Sequence, residues 1–274
     1  MCLYPLFLLG LLFMACSGGP APAKAPAATP EKAPETTIIS TEPSFFSSPP
    51  AQNGLVFIGA AGKRSNPKET VQAALEDAAR RVSVYHEVTG EYAVEHNIGS
   101  GFFDYTHNTY TALYYDREGS NRYIDALQYD TDTDTLEMEN ILFVRTVYPS
   151  ALPVPVTYRP TYYGPDRRPD WVDAHLEIKG YEVGVGYSGR HSSLADTYTN
   201  SCNNAIFAII RNVNTTSQST SVYYQNTGSL FGYKTSNDNT LYSYGILAGF
   251  YVLDTWIDPK NKTVWTLAIV KKLD

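Results

Sequence analysis

The chain is short of cysteine: three in 274 residues, Cys2, Cys16 and Cys202. If processing occurs at Cys16, Cys202 is alone in the folded part, and one cysteine cannot close an internal disulfide. Basic residues are also in deficit, with 21 Lys and Arg against 28 Asp and Glu. The net charge of −7 argues against nucleic acid or an anionic membrane surface as a general partner. The apolar run Leu6–Met14 is too short to span a bilayer, and no Lys or Arg precedes it. Histidine is sparse, at His86, His96, His107, His175 and His191, with no H-E-x-x-H and no pairing with cysteine, so no metal site is expected. Ser100 and Ser188 both miss G-x-S-x-G, the latter because Arg190 stands at the last glycine position. No catalytic set emerges, and the expectation is a protein that is not an enzyme and carries no cofactor.

What is present begins with a leader. Residues 1–15 read as a signal peptide, an apolar stretch followed by small residues. Phe13-Met14-Ala15-Cys16 resembles a bacterial lipobox, in which cleavage exposes a cysteine that is then lipidated; Cys16 is the expected lipidation site. Residues 16–53 follow as a Pro/Ala-rich linker with scattered Lys and Glu, a composition that cannot build a core. As a coil, its 37 residues (Ser17–Asn53) reach roughly 35 Å, enough to hold a domain off a membrane. Phe45-Phe46 is its one adhesive spot. The 22 tyrosines suit half-buried strands and contact surfaces.

Beyond the linker the chain repeats itself. Setting Gly59 against Gly186, an offset of 127 residues, aligns GLVFIGAAGKRSNPKETVQAALEDAARRV with a stretch inside Gly180–Val213. Val56 and Ile58 meet Val183 and Val185, read as inward residues of a strand. Gly62 meets Gly189. Asn66 with Glu69 meets Ser193 with Asp196, each a helix N-cap with an acid three residues on, and Pro67 sits where proline is tolerated. Val71, Ala74, Leu75, Ala78 and Val82 meet Tyr198, Ser201, Cys202, Ala205 and Ile209, one apolar stripe in each copy. Cys202 thus reads as a small buried hydrophobe rather than a nucleophile.

Strand-like segments follow each helix, at Thr109–Arg117, Arg122–Asp130 and Thr135–Tyr148, then at Thr220–Gln225, Leu241–Asp258 with a break near Gly245 or Gly249, and Thr263–Leu273. The sequence therefore predicts an α+β fold of two tandem modules, 54–148 and 170–274, each a strand, one amphipathic helix and an antiparallel meander. Residues 149–169, rich in proline and tyrosine, join them.

Two motifs compete with this reading. Gly184, Gly186 and Gly189 form G-x-G-x-x-G, the dinucleotide fingerprint. That site needs the glycine turn to run straight into the helix, and here the cap, Ser193, lies four residues beyond Gly189. The first copy also has Phe57 at the first glycine position, so no nucleotide is expected and the glycines read as turn and packing devices. Asp130-Thr131-Asp132-Thr133-Asp134 has the opening spacing of a calcium loop but lacks its central glycine and has Ile141 at the twelfth place. It reads as an acidic hairpin tip. Tyr158, Tyr162, Tyr163, Trp171 and Trp256 are candidate binding residues, the tyrosines in a connector that also suits plain packing.

Pro169-Asp170-Trp171-Val172, Gly184-Val185-Gly186, a helix with Ala195 and Ala205, and Asp254-Thr255-Trp256-Ile257-Asp258 before Thr266-Leu267-Ala268 form an ordered set. The set resembles the Lpp-twenty type of bacterial outer-membrane lipoprotein over Pro169–Leu273, and over Gly54–Tyr148 in the strand-helix part only. The resemblance implies a lipid-anchored protein of the outer membrane, facing the periplasm or cell surface, without enzymatic activity. Its implied partners are the membrane and other envelope proteins, by analogy including flagellar or surface assembly. The rival expectation is a small-ligand binder or enzyme with a site between the modules, near Tyr158–Arg168.

Overall fold

The computed structural model describes residues 38–40, 44–48, 54–98, 105–149, 156, 158–213, 215–224 and 234–272. The leader, Cys16 and most of the linker lie outside them. All the described residues belong to one compact unit, Thr36–Asp274, and the fold is α+β with small antiparallel sheets.

In chain order, β1 (Ile38–Ser40) and β2 (Leu55–Gly62) precede α1 (Pro67–His86). Asn66 caps α1, its side chain accepting from the Lys68 N–H (3.1 Å), with Pro67 at the first helical position. Next come β3 (Val88–Ile98), β4 (Tyr105–Tyr114), β5 (Thr135–Met138) and β6 (Ile141–Tyr148). The short strands β7 (Tyr162–Tyr163) and β8 (Arg168–Pro169) lead to β9 (Tyr181–Ser188) and α2 (Leu194–Val213). β10 (Thr215–Tyr224), β11 (Lys234–Leu247), β12 (Tyr251–Ile257) and β13 (Val264–Lys271) complete the fold.

Two three-stranded sheets share one plan, β2-β6-β5 and β9-β13-β12, each with its first strand under its own helix. A third sheet takes strands from both halves in the order β10-β11-β3-β4, with β11 paired to β3 from Leu247↔Val88 to Asn237↔Ile98. Its inner face lies on α2, where a side chain at Gly90 would strike Ile210. The sequence reading missed this pairing, because nothing in either strand names its partner.

The correspondence at 127 residues runs through the elements. Helix α1 starts at Pro67 and α2 at Leu194, while β3 starts at Val88 and β10 at Thr215. The largest core cluster mixes the halves, joining Phe57, Ala78 and Val82 to Trp171, Tyr251 and Leu267.

Two local expectations are corrected. Residues Gly119–Ala126 form a 3-10 helix where a strand over Arg122–Asp130 was expected. Asp116 accepts from the Gly119 N–H (2.8 Å) and Ser120 bonds back to the Arg117 carbonyl (2.7 Å), which coils the segment against α1. Second, the face of β9 against its helix carries Gly184 and Gly186, while Val183 and Val185 are half-buried on the other face. The break expected in Leu241–Asp258 falls at Gly249, whose φ of +80° is left-handed. The linker end does dock: Phe46 is buried edge-on against Phe143 (5.0 Å) and lies beside Tyr198 (6.2 Å).

Candidate functional site

β2 and β9 are edge strands, and an edge leaves alternate N–H and C=O groups without a ladder partner. On β2 the outward groups belong to Val56, Ile58 and Ala60. The Val56 N–H donates to Tyr251 Oη (3.0 Å), the Ile58 carbonyl accepts from Tyr198 Oη (3.4 Å), and the Ala60 N–H donates to Asp77 Oδ2 (2.9 Å). On β9, Asn204 Nδ2 donates to the Tyr187 carbonyl (2.7 Å) and Asn212 Nδ2 to the Val183 carbonyl (3.3 Å). Asp77 and Asn204 lie 127 residues apart, as do Ala60 and Tyr187. The same helix position therefore seals the same edge position, with a carboxylate taking an N–H in one half and an amide giving to a carbonyl in the other.

A second recurring bond closes the strand-to-helix turn. The Arg64 N–H donates to Thr70 Oγ1 (2.9 Å) and the His191 N–H to Thr197 Oγ1 (3.0 Å). Ser193 accepts from the Asp196 N–H (3.1 Å) while its hydroxyl donates to the Asp196 carboxylate (2.7 Å). Gly59 and Gly186 sit where a side chain would strike the backbone of α1 at Ala74 and of α2 at Ser201; Gly184 is similarly crowded by the Ala205 carbonyl. Gly62 and Gly189 face open space or only the tip of Tyr187. The glycines thus divide: Gly59, Gly184 and Gly186 serve close helix approach, Gly62 ends β2 opposite Ile141, and Gly189 lies in the turn before α2.

Asp77 is the centre of a buried ionic cluster. Besides Ala60 it accepts from Arg80 Nη2 (3.0 Å), Arg81 Nε (3.2 Å) and Arg81 Nη2 (3.0 Å). Burial pushes its carboxyl up, but the Arg81 and Arg80 charges and the Ala60 N–H prevail and hold it below the usual carboxylate range. Arg81 reaches on to α2, donating to Cys202 Sγ (3.1 Å) and lying 4.3 Å above the Tyr198 ring. Burial alone would lower the Arg81 pKa; the Asp77 charge instead raises it well above the ordinary value.

Over this cluster opens a cleft of about 510 Å³ between the two helices. Val56, Ile58, Ile206 and Val252 contribute apolar wall, and Arg80, Arg117, Asp196, Asn200 and Asn203 contribute polar groups. The sequence reading placed the rival site near Tyr158–Arg168, and the cleft lies elsewhere. The sequence does not single out Asp77 or Arg81, whose residue types are those of an ordinary helix surface. The one clue was that Asp77 directly precedes the apolar Ala78-Ala79 pair.

Three of the five candidate aromatic residues, Tyr158, Tyr162 and Trp171, converge on two carboxylates instead. Tyr158 donates to Asp170 (2.6 Å), while Tyr162 (3.2 Å) and Trp171 Nε1 (2.8 Å) both donate to Asp254 Oδ2. Asp254 is fully buried, and burial pushes its carboxyl up to about 7, with the Trp171 and Tyr162 donors holding it back. Trp256 Nε1 donates to the Asp166 carbonyl (3.0 Å) with Arg168 over its ring (5.4 Å). Tyr163 pairs through its backbone with Ile38 and Arg168. This connector is fastened down by its polar groups, and Trp171 is 1% exposed.

The acidic turn is an Asx-type tip in which Asp130 and Asp134 accept backbone N–H groups of Asp132 (2.8 Å) and Asp130 (2.9 Å). Among the described residues no group of three or more His, Cys, Asp or Glu is placed to hold a metal ion, and no helix is long and apolar enough to cross a membrane. No protein-family model, curated protein or solved structure matches the chain.

Proposed function

We propose that the chain is a lipid-anchored, non-enzymatic envelope protein that binds or braces other envelope components from the outer membrane. The observation that carries this reading is the order of parts. A short apolar leader ends at Ala15-Cys16, a Pro/Ala-rich tether follows from Ser17, and a compact α+β unit, Thr36–Asp274, comes last. The unit is read as two related modules, 54–148 and 170–274. Recurrence of the cap, the strand-edge bond and the glycine contact at one offset supports that reading. The resemblance to the Lpp-twenty type supports a partner among envelope proteins, flagellar or surface assemblies included.

Photo-crosslinking in cells tests the binding role. Benzoylphenylalanine at Ile246, which is 58% exposed, is expected to join the chain to a discrete envelope protein, and Cys16→Ala to reduce that product. A chain that yields no discrete product with Cys16 intact contradicts the proposal. A second reading, a small-ligand binder, is favoured by one observation, the polar-rimmed cleft between α1 and α2.

A further inference from the structure

The interhelical cleft has a charge and a shape that select a ligand class. Its volume, about 510 Å³, falls within the range of small-molecule sites, roughly 300–1,000 Å³. Its floor is the sealed edge of β2, where the Ile58 carbonyl and the Ala60 N–H are already bonded to Tyr198 and Asp77. A ligand therefore gains nothing by offering groups to that backbone, and meets an apolar wall of Val56, Ile206 and Val252.

The charged groups are not balanced. Arg81 and Asp77 neutralise one another within the floor. Of those remaining, Arg80 spends one Nη on Asp77 and stays about a third exposed, and Arg117 makes no ion pair among the described residues. Against these two cations stands only Asp196, whose carboxylate already accepts from Ser192 (3.2 Å) and Ser193 (2.7 Å). One positive charge is left over at the rim. The Asn203 amide, which lines the same cleft, has no side-chain hydrogen bond among the described residues.

We infer that this cleft binds a small monocarboxylate with an apolar body, its carboxylate held by Arg117 and Arg80 at the rim and its body against the Val56–Ile206 wall. Guanidinium groups suit this because their planar fork matches both carboxylate oxygens, whereas an uncharged polar head wins neither the charge nor the second bond. The inference rests on the small-ligand reading of the cleft and is independent of the lipid anchor.

The test uses the purified full chain and three probes followed by saturation-transfer NMR: 2-naphthoate, its neutral counterpart 2-naphthamide, and acetate. The expected result is saturable binding of naphthoate, about tenfold or more tighter than naphthamide, with acetate weaker than either. Arg117→Gln is expected to bring naphthoate to the level of the amide without moving Tm, since the residue is exposed. Equal binding of naphthoate and naphthamide overturns the inference. So does an unchanged affinity in Arg117→Gln, or no saturable binding of naphthoate. Equal saturable binding of naphthoate and naphthamide would leave the small-ligand reading standing and remove only the carboxylate preference, whereas no saturable binding of any probe would remove both.

Discussion

Replacing Gly59 or Gly186 by alanine probes the contact on which each half is built. A methyl at Gly59 would lie far inside van der Waals distance of the Ala74 carbonyl oxygen and 2.7 Å from the Ala78 N. At Gly186 it would overlap the Ser201 carbonyl oxygen and the Ala205 N. These are backbone atoms of a 20-residue helix, so no rotamer change relieves the overlap and the helix must move away from its strand. Overpacking of this kind costs about 1–3 kcal/mol, and a rigid backbone neighbour places both sites at the upper end. For a domain of this size, about 2–3 kcal/mol lowers Tm by roughly 4–12 °C. The controls are internal. Gly62 and Gly189 have ordinary backbone angles and little around them, so alanine there is expected to be neutral, or stabilising by about 0.4–1 kcal/mol through loss of unfolded-state freedom. Thermal and urea unfolding of the four variants reads this directly. Four similar small shifts would refute the close helix-to-strand approach in both halves.

Other consequences follow from the buried carboxylates. Asp77→Ala strands Arg81 and the Ala60 N–H, and a loss of about 3–5 kcal/mol is expected in urea unfolding. Asp77→Asn keeps an acceptor for Ala60 and should lose less; equal losses would show that the strand-edge bond contributes nothing. Because the Asp77 pKa is lowered on folding, its stabilisation is present above the ordinary carboxylate range and fades as pH falls through it. Asp254 behaves oppositely. Its folded pKa of about 7 lies above the ordinary 3.8, so the native state holds the proton and stability declines as pH rises between those values. Asp254→Asn removes that proton, and relative to the parent it should gain about 1.4 kcal/mol per pH unit from pH 5 to 7, then level off. A difference independent of pH would refute the raised value.

The parts of the fold that were legible in the sequence are those with a local physical signature. Asn66-Pro67 and Ser193 mark helix starts because capping is a short-range hydrogen bond, and the stripe Ala74, Ala78, Val82 marks a buried face because helical period is fixed by backbone geometry. The break at Gly249 is legible for the same reason. What stayed hidden depends on partners distant in sequence. Asp77 carries an ordinary helix-surface residue type, and only the arrival of Ala60, Arg81 and Cys202 around it makes it a buried anchor. The cleft forms from α1 and α2 together, so neither copy alone announces it. Val183 and Val185 misled because apolar residues suit both faces of a covered strand, whereas the glycines mark the face the helix touches.

The proposal that the chain is tethered to the envelope by lipid is tested most directly by the mass of the mature N-terminus. The protein is purified from membranes, digested, and its first peptide measured. The expected product begins at Cys16 and carries the added mass of a diacylglyceryl group and an amide-linked acyl chain, and Cys16→Ala abolishes it. An unmodified peptide beginning at or before Cys16 would contradict the anchoring account.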